Sequence, residues 1–138
     1  MMEIDLYEYL RNQESIISIV IDRVFACQLP ETATFPCLTI QLAGSHRDET
    51  LLNPSGIVTH VYQIDSWAKD HSVTVELAEA VRNALQGYIG TMGDTEICYV
   101  SLINEESRTE APTDASDNWI FRKFQQYKIK HQESLPQA

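Results

Sequence analysis

Cysteine is scarce in this 138-residue chain: only Cys27, Cys37 and Cys98, an odd number with no C-x-x-C spacing. That excludes a disulfide framework and a zinc site of the usual spacing, leaving three reduced thiols in apolar surroundings as the expectation. Basic residues are few as well, 10 Lys and Arg against 20 Asp and Glu, for a net charge of −10. Grip on a phosphate backbone comes from lysine and arginine, so sequence-specific nucleic-acid binding is not expected. Long apolar runs are missing, and none approaches the ~20 residues of a membrane span. The N-terminus carries Glu3, Asp5 and Glu8 early and lacks a basic region followed by an apolar core. It does not read as a secretory signal, and the chain is expected to stay in a cytoplasm.

Reaction chemistry is equally sparse. There is no G-x-S-x-G, P-loop or G-x-G-x-x-G pattern. The four histidines, His46, His60, His71 and His131, show no H-x-x-x-H or comparable ligand spacing. His60, with Tyr62 and Ile64 two and four places on, reads as a packed sheet-face histidine. Asp65 and Glu76 have the chemistry of an acid/base pair, but such a role needs a pocket and shifted pKa values. No catalytic residue, metal or cofactor is expected, and an enzyme is not the leading reading.

What the chain does contain is alternation. Ile57 to Trp67 is rich in β-branched and aromatic residues, as a half-buried strand requires. After Lys69–Ser72 the spacing turns helical: Val73, Leu77, Val81 and Leu85 recur every four residues, with Ala78 and Ala84 beside them. Trp67, at the strand end, is expected to plug the junction between the sheet and that helix, with an anchor for a protein interface as the alternative. Upstream, Asp5–Leu10 and Ile16–Ile21 read as two short helices, the β-branched residues of the second leaving strand as its alternative. Leu38, Ile40 and Leu42 alternate with Thr39, Gln41 and Ala43 as a strand. Downstream, Glu96–Asn104 is apolar on both faces and is expected to be central in the sheet. In Trp119–Ile129, Trp119, Phe121, Tyr127 and Ile129 face one way and Arg122, Lys128 and Lys130 the other.

The expected fold is therefore α+β: a mostly antiparallel four-stranded sheet with helices packed on one face, in the order α-α-β-β-α-β-β. One domain is expected over 1–131, with 132–138 a frayed tail. Two long loops are expected, Gly44–Gly56 and Glu105–Asn118, and loops of that length are usually functional or disordered. Charge is segregated around the second. Asp94–Asp117 holds seven acidic residues and one basic one, whereas Trp119–His131 holds four basic and no acidic residues. An acidic loop and a basic strand can attract copies head to tail. Equally, they can be a solvated loop beside an edge strand guarded by lysines.

The chain resembles the tail-completion, or tail-terminator and head–tail joining, family of long-tailed bacteriophages and prophages. The resemblance runs from about Leu6 to Ile129. It is carried by Ile21-Asp22-Arg23-Val24-Phe25, by Phe35-Pro36-Cys37-Leu38-Thr39-Ile40, and by Val61-Tyr62-Gln63-Ile64-Asp65-Ser66-Trp67-Ala68. The helix Leu77–Leu85 with Gly87, the charged stretch Glu105-Glu106-Ser107-Arg108 and a final aromatic-bearing strand complete it. The last strand is more basic, and the preceding segment more acidic, than the family pattern. The resemblance implies a non-catalytic virion protein that forms a ring, commonly a hexamer. Such a ring caps the tail tube, ends its polymerisation and provides the joint to the head connector. It implies as partners other copies of the chain, the major tail tube protein and the head connector. It places the protein in the host bacterial cytoplasm during assembly and then at the head–tail junction. Candidate interface residues are Arg47, Asp48, Glu49, Glu105, Glu106, Arg108, Glu110, Arg122, Lys128 and Lys130. The alternatives are a head-side joining protein or a small non-catalytic ligand-binding or regulatory domain.

Overall fold

Each apolar run finds its place in one three-helix, six-strand arrangement. The computed structural model of the chain describes residues 2–26, 34–49, 54–110 and 119–132. In chain order the elements are α1 (Met2–Arg11), α2 (Glu14–Val20), β1 (Val24–Ala26), β2 (Cys37–Glu49), β3 (Pro54–Ala68), α3 (His71–Leu85), β4 (Gly90–Met92), β5 (Thr95–Glu110) and β6 (Ile120–Gln132). The strands form a single sheet in the order β1-β2-β3-β6-β5-β4. β1 pairs with β2 in parallel and every other pairing is antiparallel.

This corrects the expected four-stranded, α-α-β-β-α-β-β sheet: it has six strands and is mixed. The two unforeseen strands, β1 and β4, are three residues each. A segment that short has no alternation to read, and Gly90 in β4 resembles a helix exit more than a strand. The expected central place of Glu96–Asn104 also fails. β3 and β6 are the central strands, while β5 is flanked by β4 only at Thr95–Ile97. Bulges between Ile97 and Tyr99 and between Leu102 and Asn104 account for its two apolar faces. Each inserts a residue and switches the side that follows. Thus Ile97 and Val100 are buried while Tyr99 and Ile103 are exposed.

One face of the sheet carries the helices. The core joins Leu6 and Leu10 of α1, Ile16 and Val20 of α2, and Leu77, Val81 and Leu85 of α3 to Ile40, Ile64, Tyr62, Tyr127 and Ile129 of the strands. Burying each such aliphatic side chain contributes ~1.5–3 kcal/mol, so this face holds the fold together. The Asp70 side chain caps α3 by accepting from the Ser72 N–H at 3.0 Å. Tyr9 Oη donates to the Ala84 carbonyl at 2.6 Å, tying α1 to the end of α3.

The described parts of the two long loops expected from composition are strand. β2 continues to Glu49 and β3 begins at Pro54, with Ser45 opposite His60 and Arg47 opposite Val58. β5 likewise continues to Glu110, opposite Ile120. Polar, charged sequence looked like loop because residues such as Ser45 and Glu106–Thr109 are exposed, so no apolar alternation marks them. Residues 50–53 and 111–118, Cys27 and Pro30, and the expected tail beyond Gln132 lie outside the described residues.

Candidate functional site

The face of the sheet turned away from the helices bears an extended polar surface. Its side chains follow from the register. One row across four strands is Gln41, Gln63, Gln126 and Asn104, and the next is Thr39, Asp65, Phe124 and Glu106. A third row holds Cys37, Trp67, Arg122 and Arg108. In the opposite direction along β6 come Lys128, beside Val61 and Ser101, and Lys130, beside Thr59 and Tyr99. Four of the chain's 10 basic residues thus lie on this face, against Asp65 and Glu106 in the same rows. Among the described side chains of these rows, basic residues outnumber acidic ones by four to two, whereas the whole chain has a net charge of −10.

At its centre is a packed ionic cluster that sequence reading did not find. Arg122 Nη2 donates to Asp65 Oδ2 at 2.8 Å, and Gln63 Nε2 donates to the same oxygen at 3.0 Å. The guanidinium lies 4.8 Å from the Trp67 ring centroid and 5.9 Å from that of Phe124. Trp67 Nε1 in turn donates to Thr39 Oγ1 at 3.0 Å. Trp67 is therefore not a plug between sheet and helix, as expected. It lies on the opposite face, because its register partners Cys37 and Arg122 do. Period-two counting from Gln63 through Asp65 to Trp67 was the available signal.

The candidate interface residues are split by this geometry. Lys128 and Lys130 are exposed on one face of β6. Arg122 shares that face but is held by Asp65. Glu105, Glu106 and Arg108 sit on β5 instead of in a loop, and their charges meet partners within the chain. Arg108 pairs with Glu106 at 3.1 Å and stands 5.5 Å from the Phe124 ring, while Lys123 lies 3.6 Å from Glu105. Acidic segment and basic strand are thus neighbours in one sheet. Arg47, Asp48 and Glu49 end β2 and Glu110 ends β5, at opposite ends of the sheet. Their side chains are outside the described set.

Two grooves are lined by described residues. A polar groove of about 250 Å³ between α3 and the sheet is lined by Val75, Glu79, Arg82, Glu105, Lys123 and Gln125. The Gln125 amide is fully buried there and donates to the Ala78 carbonyl at 3.2 Å and to Glu105 at 3.3 Å. An apolar groove of about 350 Å³ lies between α1 and the sheet, lined by Glu3, Ile4, Tyr7, Ala26 and Ile40. Neither brings a nucleophile and a base together. At the hairpin end, His60 Nδ1 and His131 Nε2 stand 2.9 Å apart, and His60 packs edge-on against Tyr62. Among the described residues no group of three His, Cys, Asp or Glu is placed to hold a metal ion. No helix there is long and apolar enough to cross a membrane.

Burial governs the titration of the remaining groups. It pushes the Cys37 thiol up to about 12 despite the nearby Arg23. It also raises Tyr62 and Tyr127 well above the usual phenol value, with Glu105 adding to the effect at Tyr127. These shifts keep core groups neutral and do not create a reactive centre.

A solved chain described as "Virion of native gene transfer agent (GTA) particle" matches with a TM-score of 0.67 at 14% identity, covering 92% of this chain and 91% of that one. At that identity the likeness is one of fold. No curated protein matches. The family profile described as "Tail completion protein gp17" matches residues 4–127, nearly every element of the sheet and all three helices. The chain belongs to the tail completion protein gp17 family.

Proposed function

We propose that this protein is a structural virion assembly component that caps the phage tail tube as a ring, ends tube polymerisation and provides the joint to the head connector. The observation that carries the reading is the family match over residues 4–127. The occurrence of the same fold in a chain of a virion particle supports it. Its partners are further copies of itself, in a ring taken to be hexameric, the major tail tube protein and the head connector. It acts in the host bacterial cytoplasm during assembly and afterwards at the head–tail junction. The physics favours contact over catalysis. Identical subunits joined through two different patches close into a ring when the rotation allows. Lys128 and Lys130, exposed on a positive face of an acidic molecule, supply electrostatic direction for such a contact. Light scattering and negative-stain imaging over a range of concentrations, with and without tube protein, test this. Closed rings are expected; a monomer under every condition refutes it.

A further inference from the structure

Among the described residues the sheet has two edges that no strand covers, and they complement each other. On one side, β1 covers β2 only at Leu38–Ile40, so among the described residues the outer edge of β2 from Gln41 to Glu49 pairs with no strand. On the other side, β4 covers β5 at Thr95–Ile97. Beyond it the Gly87 N–H donates to the Val100 carbonyl at 2.8 Å, and the Leu102 N–H donates to Gln86 Oε1 at 2.7 Å. The end of α3 thus seals β5 as far as Leu102. From Asn104 to Glu110 no strand among the described residues pairs with its outer edge, which has no proline, lysine or bulge to blunt it.

Direction and phase match across these edges. β2, β3, β6 and β5 alternate in direction, so β5 of one copy laid beside β2 of the next continues an antiparallel sheet. Leu38 N–H donates outward to Arg23, and the one-residue bulge at Ala43 moves the outward phase of β2 to Ser45 and Arg47. On β5 the outward groups of Val100 and Leu102, followed by the bulge at Ile103, move that phase to Glu105, Ser107 and Thr109. By register, Ser45 lies in line with His60 and Ile129, and Ser107 in line with Lys123 and Ser66. Both rows belong to the helix-bearing face. The two edges can therefore exchange hydrogen bonds with the helices of both copies on the same side.

The open stretches lie at opposite ends of the sheet, which sets a stagger. Ser107 shares a row with Lys123, Ser66 and Leu38 of its own chain. Opposing it to Ser45 of a neighbour shifts that neighbour by the seven residues from Leu38 to Ser45, less the bulged one. Six steps of ~3.3 Å, or ~20 Å, over four strand spacings of ~4.8 Å, or ~19 Å, incline the strands by ~45°. Closed barrels have strand tilts of ~35–45°, so this stagger suits closure into a ring better than a flat ribbon.

We infer that the β5 edge Asn104–Glu110 of one copy pairs antiparallel with the β2 edge Gln41–Glu49 of the next, so that the ring is closed by a continuous intersubunit sheet. The inference rests on the ring reading above and names the contact that makes it. The partner is a second copy, because the two edges on one chain are unlike, open and matched in phase.

The test uses the full chain with Cys27 and Cys98 changed to serine, leaving buried Cys37 in place. Ser45→Cys is combined in turn with Glu105→Cys, Ser107→Cys or Thr109→Cys, and assembled samples are oxidised and run without reductant. Opposed strand residues have Cα atoms ~5.5 Å apart, within disulfide reach. The expected result is a ladder of covalent oligomers for at least one pair and none for the single variants. Ser107→Pro is the second variant: it removes an outward N–H without touching the β6 ladder. It is expected to keep the circular dichroism spectrum of the parent while weakening association by ~10-fold or more. Rings in the microscope without any ladder, or with Ser107→Pro assembling normally, overturn edge pairing and leave the ring reading intact. Absence of rings from the parent protein overturns both.

Discussion

Arg122 holds Asp65 across the two central strands, Nη2 to Oδ2 at 2.8 Å, on the face of the sheet that no helix covers. The side chains are 17% and 7% exposed, so this ion pair is largely withdrawn from water although it is on the open face. It is reinforced by the Trp67 and Phe124 rings and by Gln63, which makes it a structural clamp rather than a docking charge. Removing one partner of such a pair leaves a poorly solvated charge, at ~3–5 kcal/mol. Arg122→Met is therefore expected to lower the unfolding free energy by ~3 kcal/mol in urea titrations. Adding Asp65→Asn to it is expected to restore part of the loss, a sign of coupling that two independent sites do not give.

The exposed lysines behave differently. Lys128→Glu with Lys130→Glu replaces cations on the positive face at rim-type positions, where charge changes act on association more than on stability. Unfolding midpoints are expected to move by less than ~1 kcal/mol. Subunit association, followed by sedimentation across a salt series, is expected to weaken and to lose salt sensitivity. Unchanged association removes this strand face from the interface.

Titration of the core gives a pH prediction with a definite sign. Cys37 ionises at about 12 in the folded chain against an ordinary value of 9.0, and Tyr62 and Tyr127 are raised above 10.0. Above pH 9 the unfolded chain gives up these protons while the folded chain keeps them, so the folded state binds more protons and stability falls as pH rises. Below pH 9 these groups contribute no slope. Urea midpoints measured from pH 8 to 11 should decline, and Cys37→Ala should make the decline less steep between 9 and 10. In the same samples iodoacetamide at pH 8 is expected to modify exposed Cys98 and spare Cys37 until the chain unfolds.

Gly93 gives a purely steric prediction. It has φ +59°, and a Cβ there would collide with the Asp5 carboxylate. Asp5 is buried and accepts from Thr95 Oγ1, linking α1 to the start of β5. Gly93→Ala must displace that carboxylate as well as adopt a left-handed backbone, and is expected to cost ~2 kcal/mol. Thermal unfolding checks it; a cost near zero means the turn relaxes freely.

Much of the core was readable because its periods are long and its faces one-sided. Leu77, Val81 and Leu85 announced α3, and Ile64, Tyr62, Tyr127 and Ile129 lie where alternation put them. What failed had physical reasons. β1 and β4 are too short to show a period, so two strands and the parallel pairing were missed. The outer parts of β2 and β5 are exposed, so their polar residues resembled loops. Trp67 was assigned to the helix side by its bulk, although counting by two from Ile64 puts it on the other. The Arg122–Asp65 clamp joins residues 57 apart in sequence, a relationship that only the register reveals.

The central claim, that this protein terminates a tail tube as a ring, is tested most directly by adding it to polymerising tube protein and measuring tube length together with end structure in negative stain. Shorter tubes are expected as the protein is added, each capped at one end by a closed ring containing it. Tubes that elongate unchanged beside a protein that remains monomeric and unbound contradict it.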